Sequence, residues 1–241
     1  MRLTEQLRDY INAAFTGLWV QTQEADEAER EILQMARERK WRVAVWDVAQ
    51  GLRVAGPGSA EVGAGDPLAA LRALTGLAEP DGTTILVLHN FHRFLNNPEV
   101  IQTTFARLVA GKEQRTFLVV LAPIVQVPIE LEKLFVVVEH ALPDRDQLRQ
   151  IGTQIHDDPE NHAAAPNWDR ILDAAAGLTR YEAEGAFALS IARHNAIRPE
   201  VIWELKAQAL RKSNLLTLHR GDERFASLGG LASMKDFDTS R

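Results

Sequence analysis

The spacing of apolar residues changes period several times along the front of the chain and settles into one period at the back. Leu3, Leu7, Tyr10, Ile11 and Ala14 recur at helical spacing and predict a short amphipathic helix over Leu3–Ala14. Phe15–Val20 then reads as a strand. Thr22 is placed to cap a helix over Glu24–Lys40, whose face is Ala25, Ala28, Ile32, Met35 and Ala36. Trp41–Val48 is a second strand, ending on Asp47. Val54–Gly65, rich in glycine and without periodicity, reads as a mobile surface loop. Asp66-Pro67 opens a helix with Leu68, Leu71, Leu74 and Leu77 on one face, because proline loses nothing at the first helical position.

The stretch Thr83–Phe94 is the clearest strand. Its apolar run is continuous and rich in β-branched residues, follows the turn pair Asp81-Gly82, and ends in His89, Asn90 and His92. Such a run is buried on both faces, as in a parallel sheet, and ligands meet such sheets outside the carboxyl ends of the strands. Asn97-Pro98 starts a helix to about Ala110, and Thr116–Leu121 is another buried strand. Ile129–Leu134 predicts a short helix and Phe135–Glu139 a fifth strand. The alternation of strand and helix implies a parallel sheet with helices on both faces.

After Pro143 the helical period alone remains. Helices are expected over Asp144–His156 and Trp168–Ala176, with a polar loop, Asp157–Pro166, between them. A third runs from the capping box Thr179–Glu182 to about His194, and a fourth from Pro199 to about Ser213. The expected organisation is an α/β domain over 1–142, a small all-α domain over 143–213, and a polar tail or linker over 214–241.

Composition narrows the function classes. The 241 residues are 46% hydrophobic and 25% charged, as in a soluble globular protein. The absence of cysteine excludes disulfides and thiolate metal sites and fits a reducing, cytoplasmic setting. Neither a signal-peptide core nor a membrane-length apolar run is present. The net charge of −6 argues against nucleic acid as the partner, leaving only the local basic segment Lys206, Arg211, Lys212, His219, Arg220 and Arg224 as a candidate, or as a solvated face. His89 with His92, and Asp157-Asp158 with Glu160 and His162, are candidate cation groups; a bonded strand end and a solvated loop are the simpler readings. Asp47 either caps its turn or lines a cleft. Trp19, Trp41 and Trp203 are core residues unless exposed.

The order of segments resembles the AAA-type ATPases. Val119–Pro123, Val127–Glu132, Phe135–Glu139 and Leu142-Pro143-Asp144-Arg145 look like the AAA stretch from the sensor strand into the lid, and Gly177-Leu178-Thr179 with Glu182-Ala183-Glu184 resembles the lid's third helix. The chain is most similar to the non-catalytic front module of the two-part bacterial and plastid kind. Leu228-Gly229-Gly230-Leu231 near Lys235 resembles the lead into a second, intact module. The resemblance implies a P-loop-type sheet of five parallel strands and a helical lid. For the whole family protein it also implies ATP, Mg²⁺ and ATP hydrolysis.

A P-loop needs glycines, so that backbone N–H groups close around phosphates, and a lysine for the terminal phosphates. Here the first strand leads into Gln21-Thr22-Gln23-Glu24-Ala25-Asp26-Glu27-Ala28-Glu29, with neither. Its carboxylates suit the positive end of a helix dipole and would repel a triphosphate. Where paired carboxylates would hold Mg²⁺ stand His89 and Asn90. The sensor position is Ala122 or Pro123, and the finger region, Glu130–Leu134, offers only Lys133. The expectation is a degenerate site at Thr22, Gln23, Glu24, His89 and Asn90, without catalytic residues, metal or cofactor in this chain. The expected partner is an active AAA module in cis or in trans, with a homo-oligomer as an alternative. The other readings are the front of a hydrolysing ATPase whose active site lies downstream, and weak nucleic-acid binding through the basic segment.

Overall fold

A computed structural model describes residues 2–55, 61–62, 65–155 and 167–212. It divides after Pro143 into two compact units. In the first, the order is α1 (Leu3–Asn12), β1 (Gly17–Gln21), α2 (Ala25–Arg39), β2 (Arg42–Asp47), β3 (Gly51–Val54), β4 (Glu61–Val62), α3 (Pro67–Leu77), β5 (Thr84–His89), α4 (Pro98–Gln114), β6 (Thr116–Ala122) and β7 (Phe135–Glu139). Among the described residues the strands form one sheet in the order β4-β3-β2-β5-β6-β1-β7. The five expected strands, β2, β5, β6, β1 and β7, pair in parallel.

Strand alternation assigns the two faces. Trp19, Trp46, Leu86, Leu88, Leu118 and Val120 pack with Ala70, Leu71 and Leu74 of α3 and with Val100 and Leu108 of α4. Leu18, Val20, Val45, Ile85, Val87 and Val119 pack on the other face with Leu3, Leu7 and Ile11 of α1 and with Ala28 and Ile32 of α2. Helices therefore cover both faces, which is why the parallel strands carry polar residues at their ends and apolar ones between. Gly17 opens β1 where a Cβ would stand 2.5 Å from the Leu134 carbonyl oxygen. Only glycine lets the crossing from β6 to β7 lie this close to β1.

Several expectations need correction. Among the described residues the sheet has seven strands, not five. Gly51–Val54, which ends where the expected loop Val54–Gly65 begins, adds antiparallel to β2, and Glu61–Val62 inside that loop adds antiparallel to β3; 56–60 and 63–64 lie outside the described residues. Asp47 makes this possible. Its Oδ1 accepts from the N–H groups of Ala49 and Gln50 at 2.8 and 2.7 Å, turning the chain back, and Oδ2 meets Arg53 of β3 at 3.3 Å. Strands of four and two residues are too short to show a period in sequence. Ile129–Leu134 is not a helix; Leu131 N–H to Pro128 O and Leu134 N–H to Leu131 O are successive turn bonds. Pro128 and the start of β7 leave too little chain to nucleate a helix. α4 runs on to Gln114, past Ala110.

The second unit begins at Asp144. Among its described residues are α5 (Arg145–Ile155), α6 (Trp168–Ala175), α7 (Arg180–His194) and α8 (Pro199–Lys212). Leu148, Ile151, Ile171, Leu172, Phe187 and Ile202 form their common core. The capping box opens α7: the Glu182 N–H donates to Thr179 Oγ1 at 3.1 Å, and the Thr179 N–H donates to Glu182 Oε2 at 2.9 Å. Among the described residues no helix is long and apolar enough to cross a membrane.

Candidate functional site

The strand order reverses at β1. Its crossover through α2 passes over β6 and β5 to reach β2, whereas β7 lies on its other side. The carboxyl end of β1 is therefore the switch point at which open α/β sheets take ligands. Alternation then decides which side chains meet there. Thr22 shares a face with Leu18 and Val20, His89 with Ile85 and Val87, and His140 with Val138, all on the side that α2 covers.

α2 answers with its flanks. Ala28 and Ile32 point into the core. At about 100° per residue, Glu29 and Glu31 fall on opposite sides of that buried stripe. Glu29 Oε2 lies 2.7 Å from His89 Nε2 at the end of β5, with both side chains largely buried. Glu31 Oε1 lies 3.7 Å from His140 Nε2, just past the end of β7. The first separation is a hydrogen bond; the second is a longer polar contact. His140 is fixed from its other side, since Nδ1 lies 2.8 Å from Thr22 Oγ1.

Thr22 is buried, but it does not cap α2 at the formal position. Its Oγ1 accepts from the Glu24 N–H at 2.9 Å, while Glu24 itself precedes Ala25 without a side-chain capping bond. The Thr22 N–H donates to Ala122 O at 2.9 Å. Gln23 is exposed and Glu24 half-buried. Asn90 turns away from this group. It is left-handed at φ 51, its N–H donates to Leu121 O at 2.8 Å, and its side chain is exposed. That backbone conformation suits asparagine and carries the chain into the 3-10 turn Phe91–Arg93.

Of the five sequence-predicted positions, Thr22 and His89 reach this cluster by their side chains, at separate contacts. His140, Glu31 and the partner role of Glu29 are not visible in local sequence, because each depends on contacts 60 to 118 residues away. The parity of His140 with Val138 is the one signal that points to it.

The other candidates separate. His92 is 5% exposed, and neither ring nitrogen has a hydrogen-bond partner. Burial, and then the neighbouring Arg93, hold its pKa below the usual imidazole value. His89 is engaged by Glu29, and among the described residues no group of three or more His, Asp or Glu is placed to hold a metal ion. In the second unit, Lys206 Nζ donates to the carbonyls of Ala174 and Ala176 at 3.0 and 2.8 Å and lies over the Trp203 ring. It thus closes the end of α6, and burial lowers its pKa. The acidic loop at Asp157–His162, the segment from Asn214 on, and the side chains of Arg211 and Lys212 lie outside the described residues.

Comparison with known proteins agrees with this architecture. The family model for the N-terminal domain of SpoVK-like AAA ATPases matches residues 3–140, and the model for their second domain matches 146–213. The uncharacterized AAA domain-containing protein ycf46 of Trieres chinensis is 22% identical over 243 residues, covering 98% of this chain and 48% of that protein. The chain spans about half the length of the curated relatives it matches. A chain of the E. coli MS115-1 HORMA:CdnC:Trip13 complex superposes with a TM-score of 0.55 at 9% identity, covering 90% of this chain and 88% of that one. A single-substitution variant of Thermotoga maritima RuvB gives 0.52 at 14% identity, covering 86% and 68%. At such identities the solved structures establish the fold alone.

Proposed function

The chain belongs to the SpoVK-like AAA ATPases, and on that premise we propose that it is a non-catalytic AAA-like module that acts in the assembly or regulation of an active AAA module. One observation carries the reading. At the switch point, β1 runs into Gln21-Thr22-Gln23-Glu24 without glycine or lysine, and the carboxylates of α2 already meet the ends of β5 and β7. Phosphate recognition at a helix N-terminus uses free backbone N–H groups and positive charge. Here Thr22 Oγ1 takes up the Glu24 N–H, and Glu29 and Glu31 bring negative charge to the same edge. A triphosphate with Mg²⁺ would have to displace these contacts and would gain no lysine in return.

The active module lies in cis, downstream in a longer protein, or in a separate chain. The half-length coverage of the relatives supports the former arrangement, in which hydrolysis belongs to the whole protein and this part contributes none of its chemistry. Calorimetric titration with Mg-ATP at millimolar concentration tests the reading on this chain. No heat of binding is expected, and no phosphate release. Saturable binding would overturn it.

A further inference from the structure

We propose that the His89–Glu29 and His140–Glu31 contacts form a built-in clamp that fixes α2 on the strand ends with no ligand present, giving the module one nucleotide-independent conformation. The inference rests on the non-catalytic reading above and adds what holds this edge together.

The geometry is that of a clamp because the contacts fall on opposite sides of β1. β5 lies two strands to one side and β7 directly on the other. Glu29 and Glu31, on opposite flanks of α2, reach one each. Apolar packing seats the buried stripe of α2, and two opposed polar contacts resist roll about that stripe in both senses where one would resist it in one. Each histidine is on the helix side of the sheet by strand parity. His140 is held in place by Thr22, whose hydroxyl oxygen also receives the Glu24 N–H at the entry to α2. Strand end, helix entry and helix flank are thus joined in one chain of polar contacts. In a nucleotide-loaded site a ligand can bridge such elements; here side chains do. The arms are unequal, with a hydrogen bond of 2.7 Å at Glu29 and a separation of 3.7 Å at Glu31.

Hydrogen exchange of the α2 amides at residues 28–32 tests the clamp. The variant is Glu29→Ala with Glu31→Ala. Alanine has the higher helix propensity, so faster exchange cannot come from intrinsic propensity, and Glu29→Gln, which removes the same charge, controls for the lost interaction with the helix dipole. Exchange at 28–32 should rise roughly fivefold to tenfold, with α4 as the unchanged internal reference, as expected for losing about one buried hydrogen bond. Glu29→Ala alone should account for most of the rise. Glu29→Gln, which keeps an acceptor oxygen, should stay within about twofold of the parent. Unchanged exchange in the double alanine variant overturns the clamp and leaves the non-catalytic reading standing. Slower exchange at 28–32 on adding millimolar Mg-ATP to the parent overturns both.

Discussion

Along β5, Leu86 and Leu88 enter one core and Ile85 and Val87 the other, and the alternation of the strand alone decides which. One residue further on, His89 keeps the parity of Val87 but meets a carboxylate 60 residues away in sequence. The interior and the carboxyl edge of this sheet therefore obey different kinds of rule. The interior is specified by period and apolarity, and many residues share the task. The edge is specified by a few polar pairs, each set by contacts distant in sequence. In the first region many apolar residues of suitable size would serve. In the second, each contact depends on the chemistry of its two residues.

The largest effect should come from the interior. Leu86 is fully buried between β2 and β6, and truncation to alanine leaves a cavity there. Leu86→Ala should cost about 2–5 kcal/mol in urea unfolding, read as a lower midpoint at unchanged m-value. A loss under about 1 kcal/mol would mean that this core is loosely packed and that the contrast with the edge fails.

That contrast also explains what could be read from sequence. The five parallel strands, the proline-led starts of α3 and α4 and the Thr179–Glu182 box were legible, because each rests on residues at most a few positions apart. β3 and β4 were not, since a strand of four residues and one of two carry no period, and the turn into β3 depends on one side chain, Asp47. The predicted helix at Ile129–Leu134 failed for a related reason: an apolar-charged pattern of that length fits one helical turn or a run of simple turns equally well. At the edge, Thr22 and His89 were singled out by their places at strand ends, but the side chains they meet there, His140 and Glu29, depend on contacts distant in sequence.

His92 sharpens the comparison with a buried polar group that has no partner. Its pKa is lowered by burial and by Arg93, so the folded chain resists a proton that the unfolded chain accepts below about pH 6.5. The stability associated with neutral His92 is fully present above that pH and is lost as the pH falls toward the lowered folded value. The urea midpoint should therefore drop between about pH 7.5 and about pH 5.5, and it should drop less in His92→Leu. Because neither ring nitrogen is hydrogen-bonded, the same substitution should leave stability at neutral pH unchanged or raise it by up to about 1 kcal/mol. A large loss near pH 7.5 would show that the imidazole has a polar partner after all.

The smallest effect is also the one that addresses the edge directly. His89→Ala and Glu29→Ala should each destabilise modestly, and the double variant should lose less than their sum, with a coupling energy of about 0.5–1.5 kcal/mol. The cycle removes the losses that each truncation causes by itself, since His89 also packs at the strand end and Glu29 also belongs to the helix surface. A control cycle between His89 and Glu99, which lies on α4 and pairs with Arg72 instead, should show coupling near zero. Equal coupling in both cycles would mean that substitutions at this edge act through a general loosening of the sheet, and its polar pairs would then be no more specific than the apolar interior beneath them.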